Sequence, residues 1–221
     1  MKLVADKTDK LVKKSKRYLL LALRLNMSKR SLKDGETLQR PVKESKKHWS
    51  LGLVESMKDP DAVYKETERI VVIRDKYPKA RVHYLVLPTK EISSIYKLDK
   101  THLDLITEFG TMFQTIKNEL TDVDLRAGFH AVPSMQRLHM HIISKDMDSK
   151  CLKTKIHWNS FTTSFFIPYE DLLRKLKENG CIERISSDMH KGLISTPLKC
   201  NQCSFEPKNI PQLKQHLLTH L

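Results

Sequence analysis

Apolar and polar positions change rhythm several times along this chain, and each change predicts an element. Residues 1–46 are rich in lysine and show no alternation, which predicts a mostly disordered arm with a short helix near residues 11–25. Order is expected to begin at His48-Trp49-Ser50, where Trp49, Leu51, Leu53, Val54 and Met57 fall on one side of a short helix that stops before Pro60. Arg69 to Arg74 is β-branched and compact, and Val82 to Leu87 is a second such run, ended by Pro88; both predict strands. Between Lys100 and Leu120 the apolar residues Leu103, Leu105, Ile106, Phe109, Met112, Phe113, Ile116 and Leu120 return at helical spacing. Two more strands are predicted at Ala127–Val132 and Leu138–Ser144, and a helix over 169–179 with Gly180 as its cap. Strands and helices mix without strict βαβ order, so the fold class is α+β around an antiparallel sheet with flanking helices.

Composition sharpens this outline. The chain has 221 residues, 39% of them hydrophobic, enough for one substantial core and a small accessory module. Its formal charge is +14. Residues 1–47 hold 15 basic and 5 acidic groups, residues 48–144 hold 13 of each, and residues 145–221 hold 12 and 8. Basic flanks around a neutral centre suit a phosphate backbone, although a solubilising tail would have the same composition. The apolar run Tyr18–Leu23 is too short to cross a bilayer, so no membrane partner is expected. Lys13–Arg17 points to the nucleus. Four cysteines, of which only Cys200 and Cys203 are close, point to a reducing compartment.

The candidate chemistry lies in Arg137-Leu138-His139-Met140-His141-Ile142-Ile143. On a strand, Leu138, Met140 and Ile142 go to one face, while Arg137, His139 and His141 stand exposed on the other. A hairpin through Pro133-Ser134 would add His130 and Ser134 to the same pocket. Three readings are open from the residues alone. The imidazoles are satisfied core groups, or a His-x-His metal pair beside a repelling Arg137, or a nucleophile with phosphate-binding neighbours.

A second cluster is more specific. Cys200-x2-Cys203-x12-His216-x3-His220 has the spacing of a C2H2 zinc finger holding one structural zinc ion. Pro211 suits a helix start, and Phe205 shifts the usual aromatic position, so this is a variant finger. Lys208, Lys214 and Gln215 are expected to be exposed for backbone or groove contact. If the finger is a separable clamp on a phosphate backbone, deleting residues 198–221 should weaken that binding and spare the chemistry at the histidines.

His139-Met140-His141-Ile142-Ile143 resembles the motif of the histidine-triad superfamily of nucleotide hydrolases and transferases, with Arg137 where the pattern has its first histidine. Gly128–Met135, Asp75–Arg81 and His157–Phe161 resemble, more narrowly, the aprataxin family of DNA-adenylate hydrolases, across roughly residues 47–221. The resemblance implies a histidine-triad catalytic domain at 47–180, then a linker and finger at 181–221, with 1–46 as the basic arm. It implies that His139 attacks the α-phosphate, that His130 protonates the leaving group, and that Ser134 and His141 bind phosphoryl oxygens. Asp75 would hold the ribose hydroxyls, Lys79 and Lys153 would lie on the substrate side, and Trp49 would wedge against a terminal base pair. From the residues alone, Trp49 is equally well a helix-anchoring core residue. The implied reaction removes AMP from nicked or 5′-adenylated double-stranded DNA, without a catalytic metal, in a monomer. A small-molecule nucleoside phosphoramidate hydrolase and a non-enzymatic DNA-binding finger protein are the two rival classes.

Overall fold

The structure, a computed structural model, describes residues 52–221; Trp49, the arm with its Lys13–Arg17 cluster, and the helix expected at 11–25 lie outside the described residues. Six strands form one antiparallel sheet: β1 (Val63–Glu66), β2 (Ile70–Arg74), β3 (His83–Pro88), β4 (Leu125–His130), β5 (Met140–Ser144) and β6 (Phe166–Pro168). Their order across the sheet is β1-β2-β3-β5-β4-β6. The helices are α1 (Gly52–Ser56), α2 (Leu103–Glu119), α3 (Lys155–Thr162), α4 (Tyr169–Asn179), α5 (Ser187–Ser195) and α6 (Ile210–Leu217). No helix among the described residues is long and apolar enough to cross a membrane.

The centre of one sheet face is apolar. Ile70, Val72, Val86, Ala127, Phe129, Leu138, Met140 and Ile142 pack there against Leu105, Ile106, Phe109, Phe113 and Ile116 of α2 and Leu172 and Leu176 of α4. The i, i+3, i+4 spacing of α2 is what turns those five side chains inward. Helix α4 ends at Gly180, whose φ of 73° is the left-handed cap that only glycine adopts without strain, and whose N–H returns to the Leu176 carbonyl.

The other face is divided. Val71, Ile73, Leu85 and Leu87 make a patch covered by Leu53 of α1 and flanked by Met57 and Met135. Ile143, Phe161 and Phe166 make a second patch, which they share with Trp158 and with the finger residues Leu198, Cys200, Leu213 and Leu217. Between the two patches lies a polar strip on β3, β4 and β5. Register places it: His141 pairs with Leu85 on one side and with Gly128 on the other, and His83 pairs with Ile143. Gly128 has no room for a side chain, since a Cβ there would come within 2.5 Å of the Ile167 carbonyl and 2.6 Å of the Phe166 ring. That gap lets β6 and the Phe166 ring approach the histidines.

A candidate active site of buried histidines and a finger-type metal centre

The β4–β5 hairpin brings His130, His139 and His141 together. The ring centroids of His130 and His141 are 4.3 Å apart, and those of His139 and His141 are 5.0 Å apart. The expected exposed row is instead buried: Arg137, His139 and His141 keep only 8%, 8% and 5% of their surface. Phe161 of α3 packs against His83, His130 and His141, and Phe165 and Phe166 pack against His130, cover that a two-residue alternation cannot foresee.

Hydrogen bonds fix the tautomers. His139 Nδ1–H donates to the Arg137 carbonyl at 2.7 Å, which leaves Nε2 with a free lone pair. The fourth histidine, His83, was not singled out from sequence. Its Nδ1 accepts the Lys79 N–H at 3.1 Å, so its proton sits on Nε2, 3.0 Å from Nδ1 of His141. His141 must then carry its own proton on Nε2, which is buried and has no partner; His130 Nε2 is likewise buried without a partner. A lone pair and two unpartnered nitrogens therefore converge in one buried pocket.

Burial sets the charge of this cluster. Desolvation lowers the pKa of His83 to about 4, against the opposing pull of Asp75. His130 and His141 are pushed well below the ordinary imidazole value by burial, reinforced by neighbouring imidazoles and Lys79. His139 is lowered less, because the Arg137 carbonyl and Asp75 favour its cation. All four rings are thus neutral at pH 7, and a neutral ring is the one able to attack phosphorus.

The remaining expected site residues are spread around this centre. Asp75 follows β2, with Oδ1 accepting the Tyr77 N–H at 2.7 Å and Oδ2 lying 3.6 Å from His83 Nδ1. Lys79 faces the cluster through its backbone, while its ammonium turns back onto the Tyr77 carbonyl. Lys153 is exposed at the start of α3, where its N–H donates to His157 Nδ1 at 3.2 Å. Ser134 is exposed in the β4–β5 connection, and no hydrogen bond ties it to the histidines. Arg137 spends its Nη2 on the backbone, donating to the carbonyls of Pro88 and Thr89, each at 2.7 Å. It is a brace between β5 and the end of β3.

Cys200, Cys203, His216 and His220 place four donor atoms within 4.8 Å of one another. The Cys200 Sγ–His220 Nε2, Cys203 Sγ–His216 Nε2 and His216 Nε2–His220 Nε2 separations are 3.4, 3.1 and 3.1 Å. Zinc bonds of about 2.1 Å to nitrogen and about 2.3 Å to sulfur give tetrahedral edges of roughly 3.4–3.8 Å, a few tenths longer than the shorter of these separations; what fits zinc is the donor set, two thiolates and two imidazoles converging on one point. Asn209 caps α6 by accepting the Gln212 N–H, with Pro211 in the first turn, and Phe205 stacks on His216 at 4.1 Å. Lys214, expected to be free, donates to the Ser149 carbonyl at 2.8 Å and so ties the finger to the sheet domain. Asp75, His83 and His141 form a second group with metal-ligand potential. There, however, the His141 Nδ1 lone pair already accepts the His83 proton.

Residues 48–157 match the model of the family described as scavenger mRNA decapping enzyme C-term binding, and residues 162–221 match that of the C2HE / C2H2 / C2HC zinc-binding finger. An aprataxin-like protein of Saccharomyces cerevisiae is 30% identical over 76% of this chain and 94% of its own length. That match decides the family. The chain belongs to the aprataxin family. Another aprataxin-like protein, from Drosophila melanogaster, is 46% identical over 78% of the chain, which spans 26% of that longer relative. Among aprataxin-type structures, "Hnt3 in complex with DNA and guanosine" shares the fold at a TM-score of 0.63, with 22% identity over 78% of this chain and 95% of that one. The α+β histidine-triad fold with a finger at its end is therefore that of an aprataxin-type protein.

Proposed function

We propose that this protein is a DNA-5′-adenylate hydrolase that clears AMP from 5′-adenylated ends through a covalent AMP–histidine. One observation carries the reading: His139 presents a bare Nε2, fixed by its Nδ1–H bond to the Arg137 carbonyl, beside the unpartnered Nε2 atoms of His130 and His141. Nε2 attacks the α-phosphorus, an N–P bond forms, and the P–O bond to the DNA 5′-phosphate breaks. His141 Nε2–H donates to a phosphoryl oxygen and stabilises the charge that builds there. The negative phosphate raises the proton affinity of the adjacent His130 imidazole, which takes up a proton as the substrate binds and passes it to the departing oxygen. Water then attacks the phosphoramidate, AMP leaves, and the Nε2 lone pair is restored. Asp75 is the acceptor for the ribose hydroxyls, and Lys79, Lys153 and Trp49 serve the substrate side. Hnt3, a relative in fold, is solved in complex with DNA, and the finger and basic flanks suit a duplex more than a small molecule. We assign the enzyme to the nucleus and treat it as a monomer.

The test compares wild type and His139→Ala on a nicked duplex bearing 5′-adenylate and on AMP-lysine. Release of AMP from DNA is expected from the wild type alone. Activity confined to AMP-lysine would make the protein a small-molecule phosphoramidate hydrolase, and activity on neither would leave only a DNA-binding role.

A further inference from the structure

Phe161 is buried on α3 and meets three of the four histidines with its ring. It stands nearly perpendicular to His83 and His141, at 87° and 88°, with centroids 5.4 and 5.2 Å away, and it lies 4.7 Å from His130. It contributes no donor or acceptor, so it cannot take part in proton transfer. What it supplies is a wall that excludes water and limits rotation of the imidazoles. The proton on His83 Nε2 then keeps its aim at His141 Nδ1.

The position of that wall is set from the finger. One turn before Phe161, the Trp158 indole N–H donates to the carbonyl of Lys199 at 3.1 Å, and Lys199 immediately precedes Cys200. Asn159 donates to the carbonyls of Ile194 and Thr196 at 3.0 and 2.8 Å, fixing α3 to the end of α5. Trp158, Phe161, Cys200, Leu213 and Leu217 share one apolar cluster. Helix α3 is therefore held at one side by the metal-binding knuckle and pressed at the other against the histidines.

We infer that Phe161 is a positioning residue for the histidine cluster, and that through α3 the zinc-bound finger sets the geometry in which His141 presents its proton. This rests on the catalytic reading above. It also departs from the separable clamp, because it makes the finger part of the chemistry on small substrates as well as on DNA.

The experiment reads the imidazoles directly, by 15N resonances that distinguish protonated from bare ring nitrogens in the whole protein. In the zinc-loaded wild type, His83 and His141 are each expected as one tautomer, protonated at Nε2. Phe161→Leu keeps apolar volume and removes the ring, and Trp158→Phe removes the bond to Lys199. Each is expected to mix the tautomers of His141 and to lower kcat on AMP-lysine about tenfold or more, with KM changed little. Removing zinc from the wild type with a chelator should shift the same resonances in the same direction. Should Phe161→Leu fail to fold, the Trp158→Phe and chelation arms decide. Unchanged His83 and His141 resonances after zinc removal overturn the proposal and return the finger to a separable clamp. If the wild type hydrolyses neither substrate, the catalytic reading fails, while the resonances still report whether the finger sets the imidazoles.

Discussion

Arg137 and His83 exchange the roles that their positions suggest. Arg137 occupies the place of a triad histidine, yet its guanidinium braces the Pro88 and Thr89 carbonyls at the end of β3. Replacing it with leucine leaves those carbonyls without their donor and should cost about 2–4 kcal/mol, measured as a lower urea midpoint. Arg137→His, which restores the motif but not the fork of donors, should recover only part of that loss. His83 lies in a run that reads as an ordinary strand, and a lone histidine there carries no functional signal. Its partner is 58 residues away, a pairing that no local pattern encodes. Its folded pKa of about 4 lies below the unfolded value near 6.5, so protonation favours the unfolded chain. Stability should fall as pH drops from about 6.5 toward 4, by up to roughly 3 kcal/mol from this group. His83→Leu should flatten that slope in thermal melts across the same pH range. The same variant frees the His141 tautomer and should lower kcat by about a hundredfold.

At the scale of elements, what was legible was whatever local periodicity encodes. Helix α2, helix α4 with its Gly180 cap, and strands β2 to β5 stand where the apolar spacing placed them, within a few residues. Strand β1, β6, α3 and α5 were not foreseen. Val63–Glu66 is a half-polar edge, and Phe166–Pro168 is too short to show an alternation. Helix α3 carries Trp158, Asn159, Ser160 and Phe161 all buried, so it lacks the one-sided stripe by which helices are recognised. These elements are made by tertiary contact, and Gly128 shows how tight that contact is. Gly128→Ala drives a methyl into the Ile167 carbonyl and the Phe166 ring, so β6 must give way. The expected cost is about 2–3 kcal/mol in urea unfolding, with a loss of AMP release because Phe166 backs Phe161. A variant as stable and active as the wild type would mean that β6 is not needed to seat the aromatic wall.

Across residues 52–221, the finger and the sheet domain share an apolar cluster, a Trp158–Lys199 bond and the Lys214–Ser149 bond, with Asn201 Nδ2 adding a bond to the Lys145 carbonyl. Sequence spacing identified the four metal ligands, because metal geometry is local; it could not show that Leu213 and Leu217 complete a core begun at Ile143. A finger on a flexible linker would lose its metal and unfold alone, leaving the larger domain untouched. A finger whose core is half of another unit's core cannot, since its departure uncovers Trp158, Phe161 and Ile143 to water. Zinc release and loss of tertiary structure at Trp158 should therefore coincide in one thermal transition. Chelation should lower the midpoint of the entire transition, because a ligand that binds only the folded state stabilises everything coupled to it. Two separated transitions, with the zinc-linked one silent in the near-UV signal of Trp158, would show that the cluster does not couple the two parts.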